Sequence, residues 1–416
     1  MNGNDGGPFE LLLSDLEAHA TARAHADRVR AVAKTRFEMR PSGFVGIRPD
    51  PSPPRRTAFV DGGNGILAEA PDYLIVINRV YSSMFRGAEK LGLRNRIEYD
   101  GGGSGDGHDS DCSRGNGRDC DGPARRRTTT FLSCVLPHAG DAAARGGARG
   151  GDGTGSAGHA EPLTFDTLIY PYGQGFSGCL PDKDEILSIS DGKTTTLDGS
   201  SPLASLARRL AEIRLATRIA SDELGPGDIL VLDGSLQTSL DVERQYACRL
   251  YDTAARRGVI VCGLAKTTRL LTESGEPLLA RASEIAAKAG HDRWYVPVAE
   301  GMFGDGLTSM LAAKLHPRSR FVFRIDVLCR QFRDMDDAQR NAVFWSLAAN
   351  SGDAAAPGYP YGLIDADKHA QVRRREAAMY RRSLYSRMEG RPERRRMLAR
   401  HPDSIIFHDI LNRVTG

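Results

Sequence analysis

The chain has 416 residues, of which 40% are apolar and 26% charged, and a formal net charge of +3, a make-up that fits a globular protein with a sizeable core. No apolar run reaches the roughly 18 residues that a membrane helix needs, and the start, MNGNDGGPFELLLSDLEAHA, is acidic without an apolar signal core, so the expectation is a cytoplasmic protein with no membrane span. Seven cysteines (Cys112, Cys120, Cys134, Cys179, Cys248, Cys262, Cys329) form no CxxC pair, which predicts reduced thiols, no zinc and no disulfide framework.

Residues 9–36 carry Leu12, Leu16, Ala20, Ala24 and Val29 near helical spacing, and the Pro-rich PDPSPPRR at 49–56 lies beyond. This predicts a helical arm and linker over 1–56. From residue 57 the pattern changes to strands: TAFVD (57–61), YLIVINRVYSSMF (73–85) and TTTFLSCVL (128–136), with Asn64-Gly65 as a turn signal, so an antiparallel meander is expected. Two Gly/Asp/Arg-rich stretches, at about 101–122 and 140–160, lack large apolar side chains and read as disordered insertions.

Beyond residue 200 the signal becomes α/β. Leu203, Leu206, Leu210, Ile213, Ala216 and Ile219 mark an amphipathic helix, DILVLDG (228–234) a buried strand, and 240–257 a second helix. GVIVCGLAK and segments near 293–298 and 320–327 read as strands, and 334–348 and the Arg-rich stretch after 363 as helices. From Lys368 to Arg400 twelve Lys/Arg face three Glu. Such a block suits phosphate backbones, although a solvated helix face has the same look.

Four acids fall at informative places. Asp61 ends the first strand, Glu212 lies on the helix before the buried strand, Asp233 ends that strand, and Asp367 begins the basic helix. A meander, an acidic helix, a strand ending in Asp and a late helix with another Asp follow the chain order of an RNase H-like α/β core with a mixed sheet. Carboxylates gathered this way suit Mg²⁺ or Mn²⁺, hard cations that take oxygen ligands, and two such ions about 3.5 to 4 Å apart support phosphodiester hydrolysis. Each acid alone has an ordinary reading: Asp61-Gly62 as a turn, Asp233 as a helix cap, Glu212 as a surface ion-pair member. Asp367 competes with Asp365 and His369.

The ordered blocks FVDGG, LVLDGSL, VCGLAKTTRL, KLHPRSRFVFRIDV and PGYPYGLIDADKHA resemble the NurA nuclease domain, over about residue 57 to the C-terminus outside the two insertions. The resemblance implies a homodimeric, Mn²⁺-dependent DNA nuclease, a single-strand endonuclease and 5′-to-3′ exonuclease, working with the hexameric ATPase HerA on DNA ends in recombinational repair. Its metal ligands would be Asp61, Glu212 and Asp233, with Glu223 a rival for the helix position. Lys266 would sit near the scissile phosphate and Tyr359 near the active site. Asp367 stands where many members carry His, and His369 is the alternative for that role. Arg373, Arg374, Arg375, Arg381 and Arg382, expected on one helix with Asp367, would hold the DNA backbone. Two other readings remain open: an actin-like or sugar-kinase-like ATPase with VDGGNG as a phosphate turn, and a catalytically inert DNA-end adaptor for the ATPase.

Overall fold

The computed structural model describes residues 36–37, 39–70, 73–91, 128–137, 164–171, 187–189, 202–238, 240–300 and 308–388. The expected N-terminal helix, except Arg36, both Gly-rich insertions and the basic segment beyond 388 lie outside the described residues. The elements in chain order are β1 (Arg36–Phe37), β2 (Val45–Gly46), β3 (Arg56–Ala70), β4 (Tyr73–Arg86), β5 (Glu89–Lys90), β6 (Thr128–Pro137), β7 (Phe165–Pro171), β8 (Leu187–Ile189), α1 (Pro202–Asp222), β9 (Ile229–Asp233) and α2 (Asp241–Arg257). They continue with β10 (Ile260–Ala265), β11 (Leu271–Thr272), α3 (Leu278–Lys288), β12 (Trp294–Glu300), β13 (Thr308–Lys314), β14 (Phe323–Leu328), α4 (Cys329–Asp334), α5 (Asp337–Ala349), α6 (Tyr361–Ala370) and α7 (Arg374–Met388).

Among the described residues one mixed sheet runs in the order β2-β12-β13-β14-β10-β9-β3-β4-β6-β7-β8, with β5 on β4, and β1 pairs with β11 apart from it. β3, β9 and β10 are parallel to one another, whereas their outer neighbours β4 and β14 are antiparallel. β9 and β10 are covered on both faces, which is why they read as unbroken apolar runs rather than alternations. One face, with Ala58, Val60, Leu74, Val76, Leu230 and Leu232, packs on α1 and α2. The other, with Phe59, Phe85, Val231, Leu264 and Ile325, packs on residues of α4, α5 and α6. The chain before residue 57 also contributes, since β2 pairs with β12 and Phe37, Phe44 and Ile47 are buried. None of the helices among the described residues is long and apolar enough to cross a membrane.

Two local expectations are corrected. Asn64-Gly65 makes no turn: β3 runs on through it to Ala70, with Asn64 opposite Asn78 and Gly65 opposite Ile77. The glycines instead admit close neighbours. A Cβ on Gly63 would lie 2.5 Å from the Ala370 carbonyl oxygen, and one on Gly65 would lie 3.2 Å from Val372 Cγ1. The stretch after 363 is two helices rather than one, because Gln371 leaves the helical region (φ −58°, ψ 126°). The break lets Val372, Ala377, Tyr380 and Leu384 lie on Leu67 and Ile77, and Arg79 holds the new direction by pairing with Glu376 and donating to the Gln371 carbonyl (3.3 Å). The sequence pattern also misses β13, which is almost wholly buried, and β7 and β8, which extend the meander.

Candidate functional site

Val60 pairs with Leu232 at the end of the β3–β9 ladder, so the next residues along the same two strands, Asp61 and Asp233, stand side by side. Alternation points both side chains to the sheet face that carries Phe59, Val231 and α6. The chain then turns at Gly234 (φ +94°), whose amide donates to the Leu264 carbonyl (2.8 Å). Glu212, from the buried side of α1, reaches the same place past Gly62, where a Cβ would collide with its carboxylate. The result is a cleft of about 440 Å³ at the carboxyl ends of β9 and β10, lined by Asp61, Glu212, Asp233, Arg208, Arg209 and Lys266 together with the 234–237 turn. In open α/β sheets that end of the strands is the usual ligand position.

The electrostatics are those of crowded acids. Asp61 is 5% exposed. Burial, then the charges of Asp233 and Glu212, pushes its carboxyl up to about 8 against the opposing pull of the Gly62 amide, and Asp367 adds to the rise. Its Oδ1 accepts from that amide (2.7 Å), while its buried Oδ2 has no partner. Glu212, 3% exposed, pairs with Arg208 and with Arg209 (3.4 Å). Asp233 accepts from Lys266 Nζ (3.0 Å) and from the Tyr359 hydroxyl (3.2 Å), and the Lys266 ammonium also lies 5.3 Å from the Tyr359 ring centre. Burial works against the charge on Lys266, but Asp233, Asp61 and Asp367 together hold its pKa above the ordinary lysine value. Tyr359 is pushed well above the ordinary phenol range by burial first and Asp233 second, so it stays a donor at any working pH.

Asp61, Glu212, Asp233, Lys266 and Tyr359 are therefore brought together, with Asp367 exposed on α6 but close enough to be felt by Asp61, Lys266 and Tyr359. Glu223 lies outside the group, beyond the far end of α1 and exposed. His369 is not part of the acid cluster but stands beside it: its Nδ1 meets the Asp365 carbonyl at 2.7 Å and its ring stacks at 4.6 Å on Tyr81, the residue opposite Asp61 on β4, while Asp365 pairs with Lys90 (2.7 Å). Of the five arginines, Arg373, Arg374, Arg375 and Arg382 are exposed. Arg381 instead donates to the Ile66 carbonyl (3.2 Å), tying α7 to β3.

The donor chemistry suits a hard divalent cation, because the cluster offers only carboxylate oxygens and one of them is buried without a partner. Among the described residues, however, no three His, Cys, Asp or Glu side chains stand as a ready-made metal cage. Two of the acids are neutralised by Arg208, Arg209 and Lys266, so a cation would enter by replacing those partners.

Sequence reasoning passes over the supports of the site. Asp326, fully buried on β14, pairs with Arg324 (2.8 and 2.9 Å) and accepts from Ser235 Oγ (2.8 Å) and the Leu236 amide (3.1 Å). The signal was an Arg and an Asp two apart on a strand, which share a face and can satisfy each other. The ion pairing expected of Glu212 does form, with Arg208 and Arg209 at four- and three-residue spacing, but around a buried carboxylate rather than on the surface. Comparison with protein-family models and with curated proteins finds no match for the chain.

Proposed function

We propose that the chain is a metal-dependent DNA nuclease on an RNase H-like core, with Asp61, Glu212 and Asp233 as cation ligands and Asp367 at their margin. The observation that carries this is the cost accepted at Asp61, a carboxyl buried among two others with one oxygen left without a hydrogen bond. A structural site would hold an apolar or amide side chain there, whereas a cation site needs the unsatisfied oxygen. The sheet segment β6-β4-β3-β9-β10, three antiparallel strands followed by two parallel ones, supports the RNase H-like assignment. The ordered blocks noted above support the NurA-type one.

Divalent cations bound here, Mn²⁺ or Mg²⁺, would neutralise the charge that builds on a phosphodiester during hydrolysis. The protein's own groups divide the remaining work. Tyr359 fixes one oxygen of Asp233 by donating to it, and Lys266, once released from Asp233, is a point charge for the substrate phosphate. Gly62 leaves room for the Glu212 carboxylate to reach the site, and Gly63 for the end of α6. Exposed Arg373, Arg374 and Arg375 at the start of α7 lie just beyond α6 and would guide the strand by its backbone. A homodimer and a HerA-type ATPase partner acting at DNA ends rest on the family resemblance.

The ATPase reading loses support because VDGGNG is straight strand, with no turn of backbone amides to cradle a phosphate. The adaptor reading loses support because Asp61, Glu212 and Asp233 stand together in one cleft. The deciding experiment is digestion of end-labelled single- and double-stranded DNA with Mn²⁺, Mg²⁺ or EDTA: cation-dependent fragments are expected, and intact DNA under all conditions would overturn the proposal.

A further inference from the structure

The cleft holds a second side chain whose polar atom is buried without a partner. The Gln237 amide nitrogen is shielded from solvent and donates to nothing, yet Gln237 lines the same cleft as Asp61, Glu212 and Asp233. Its position is firmly set. The backbone amide of Gln237 donates to Ser235 Oγ (3.0 Å), Ser235 Oγ donates to the buried Asp326 (2.8 Å), and Arg209 grips the Ser235 carbonyl (2.8 Å). A turn braced through its backbone, with an unsatisfied side-chain donor covered at the wall of the cleft, marks a place where rotation of that side chain would offer the donor to a ligand oxygen, since such a donor is costly to leave buried.

The surrounding charge says which oxygen. Asp61, Glu212 and Asp233 are matched in the lining by Arg208, Arg209 and Lys266, so one added dication makes the cleft net positive, and the preferred occupant then is an anion. We infer that Gln237 is a substrate-binding residue whose amide donates to a non-bridging oxygen of a phosphodiester next to the one being cut. The inference rests on the nuclease reading and deepens it. A contact to phosphate positions the strand and reads no base.

The test compares wild type with Gln237→Leu, which removes the donor at similar size, and Gln237→Glu, which turns a carboxylate toward the phosphate. Binding of two fluorescein-labelled single-stranded 12-mers of unrelated sequence is measured in Ca²⁺, alongside the change in melting temperature on adding Mn²⁺. Gln237→Leu is expected to weaken both oligonucleotides alike by about tenfold and Gln237→Glu by more, with the Mn²⁺ response as in wild type. Variants that bind within about twofold of wild type overturn the inference alone. A loss confined to one sequence overturns the phosphate contact in favour of a base contact. A wild type that binds neither oligonucleotide and ignores Mn²⁺ overturns the nuclease reading as well.

Discussion

Replacing Asp61 by Asn should stabilise the fold and abolish cutting. Raising a carboxyl from 3.8 to about 8 corresponds to about 6 kcal/mol against its ionised form at 1.36 kcal/mol per pH unit. Part of this is repulsion shared with Glu212 and Asp233, which small movements relieve, so about 3 kcal/mol is the expected gain from the uncharged amide. The sign follows from proton linkage. Between pH 3.8 and about 8 the folded chain keeps a proton on Asp61 that the unfolded chain has lost, so wild-type stability falls as pH rises through that window. Above it both states are ionised and the whole penalty is present. The Asp61→Asn variant carries no such penalty, so the difference in melting temperature between variant and wild type should be small near pH 5 and grow to about 5 °C by pH 8. Millimolar Mn²⁺ should raise the wild-type melting temperature and leave the variant almost unmoved, because the cation offsets the repulsion that the variant lacks. Differential scanning calorimetry from pH 5 to 8, with and without Mn²⁺ and EDTA, reads all of this. A variant that melts below wild type, or in parallel with it at every pH, would refute the account of Asp61 as a strained, cation-seeking carboxylate.

Asp233→Ala should remove cleavage while circular dichroism and DNA binding stay near wild type, and a residual rate above about a tenth would contradict a ligand role. Tyr359→Phe, which leaves one oxygen of Asp233 without its donor, is expected to lower the cleavage rate about tenfold in a steady-state assay at a stability cost near 1 kcal/mol. Joint replacement of Arg373, Arg374 and Arg375 by Ala should flatten the log–log salt dependence of single-strand binding by up to about 2, equally for unrelated sequences; an unchanged slope assigns these side chains to another partner. Asp326→Ala strands Arg324 in the interior and should cost about 3 to 5 kcal/mol in urea denaturation, a loss that Arg324→Ala would not add to.

The parts of the fold that a single chain segment decides were legible early. α1, β9, β10 and β4 follow from periodicity because each buries a face or both faces of one element. What failed depended on a partner far along the chain. Nothing within VDGGNG says that Glu212 and the end of α6 will press on it, so a local turn signal lost to tertiary packing. The break between α6 and α7 has no Gly or Pro to mark it; it is set by Arg79, nearly 300 residues away in sequence. Asp61, Glu212 and Asp233 could be nominated because their chemistry is legible residue by residue, whereas Arg324 and Asp326 could not, since a buried support has no chemistry of its own until the element it braces is known. Arg381 shows the converse: it belongs to a basic run, yet its guanidinium is used to fasten a helix.

The separation of these partners along the chain bears on how the protein is made. Lys90 meets Asp365 across 275 residues, Arg79 meets Glu376 across 297, and Asp233 receives its hydroxyl donor from 126 residues further on. Contacts so remote close slowly, because the loop entropy must be met before they form. On the ribosome, at some 5 to 20 residues per second, Asp61 emerges many seconds before Tyr359 exists. During that interval a chain carrying Asp61, Glu212 and even Asp233 lacks both the hydroxyl that donates to Asp233 and the helices that close over β3. On the nuclease reading proposed above, a growing polypeptide would carry an incomplete site until its last helices dock, a consequence of topology alone.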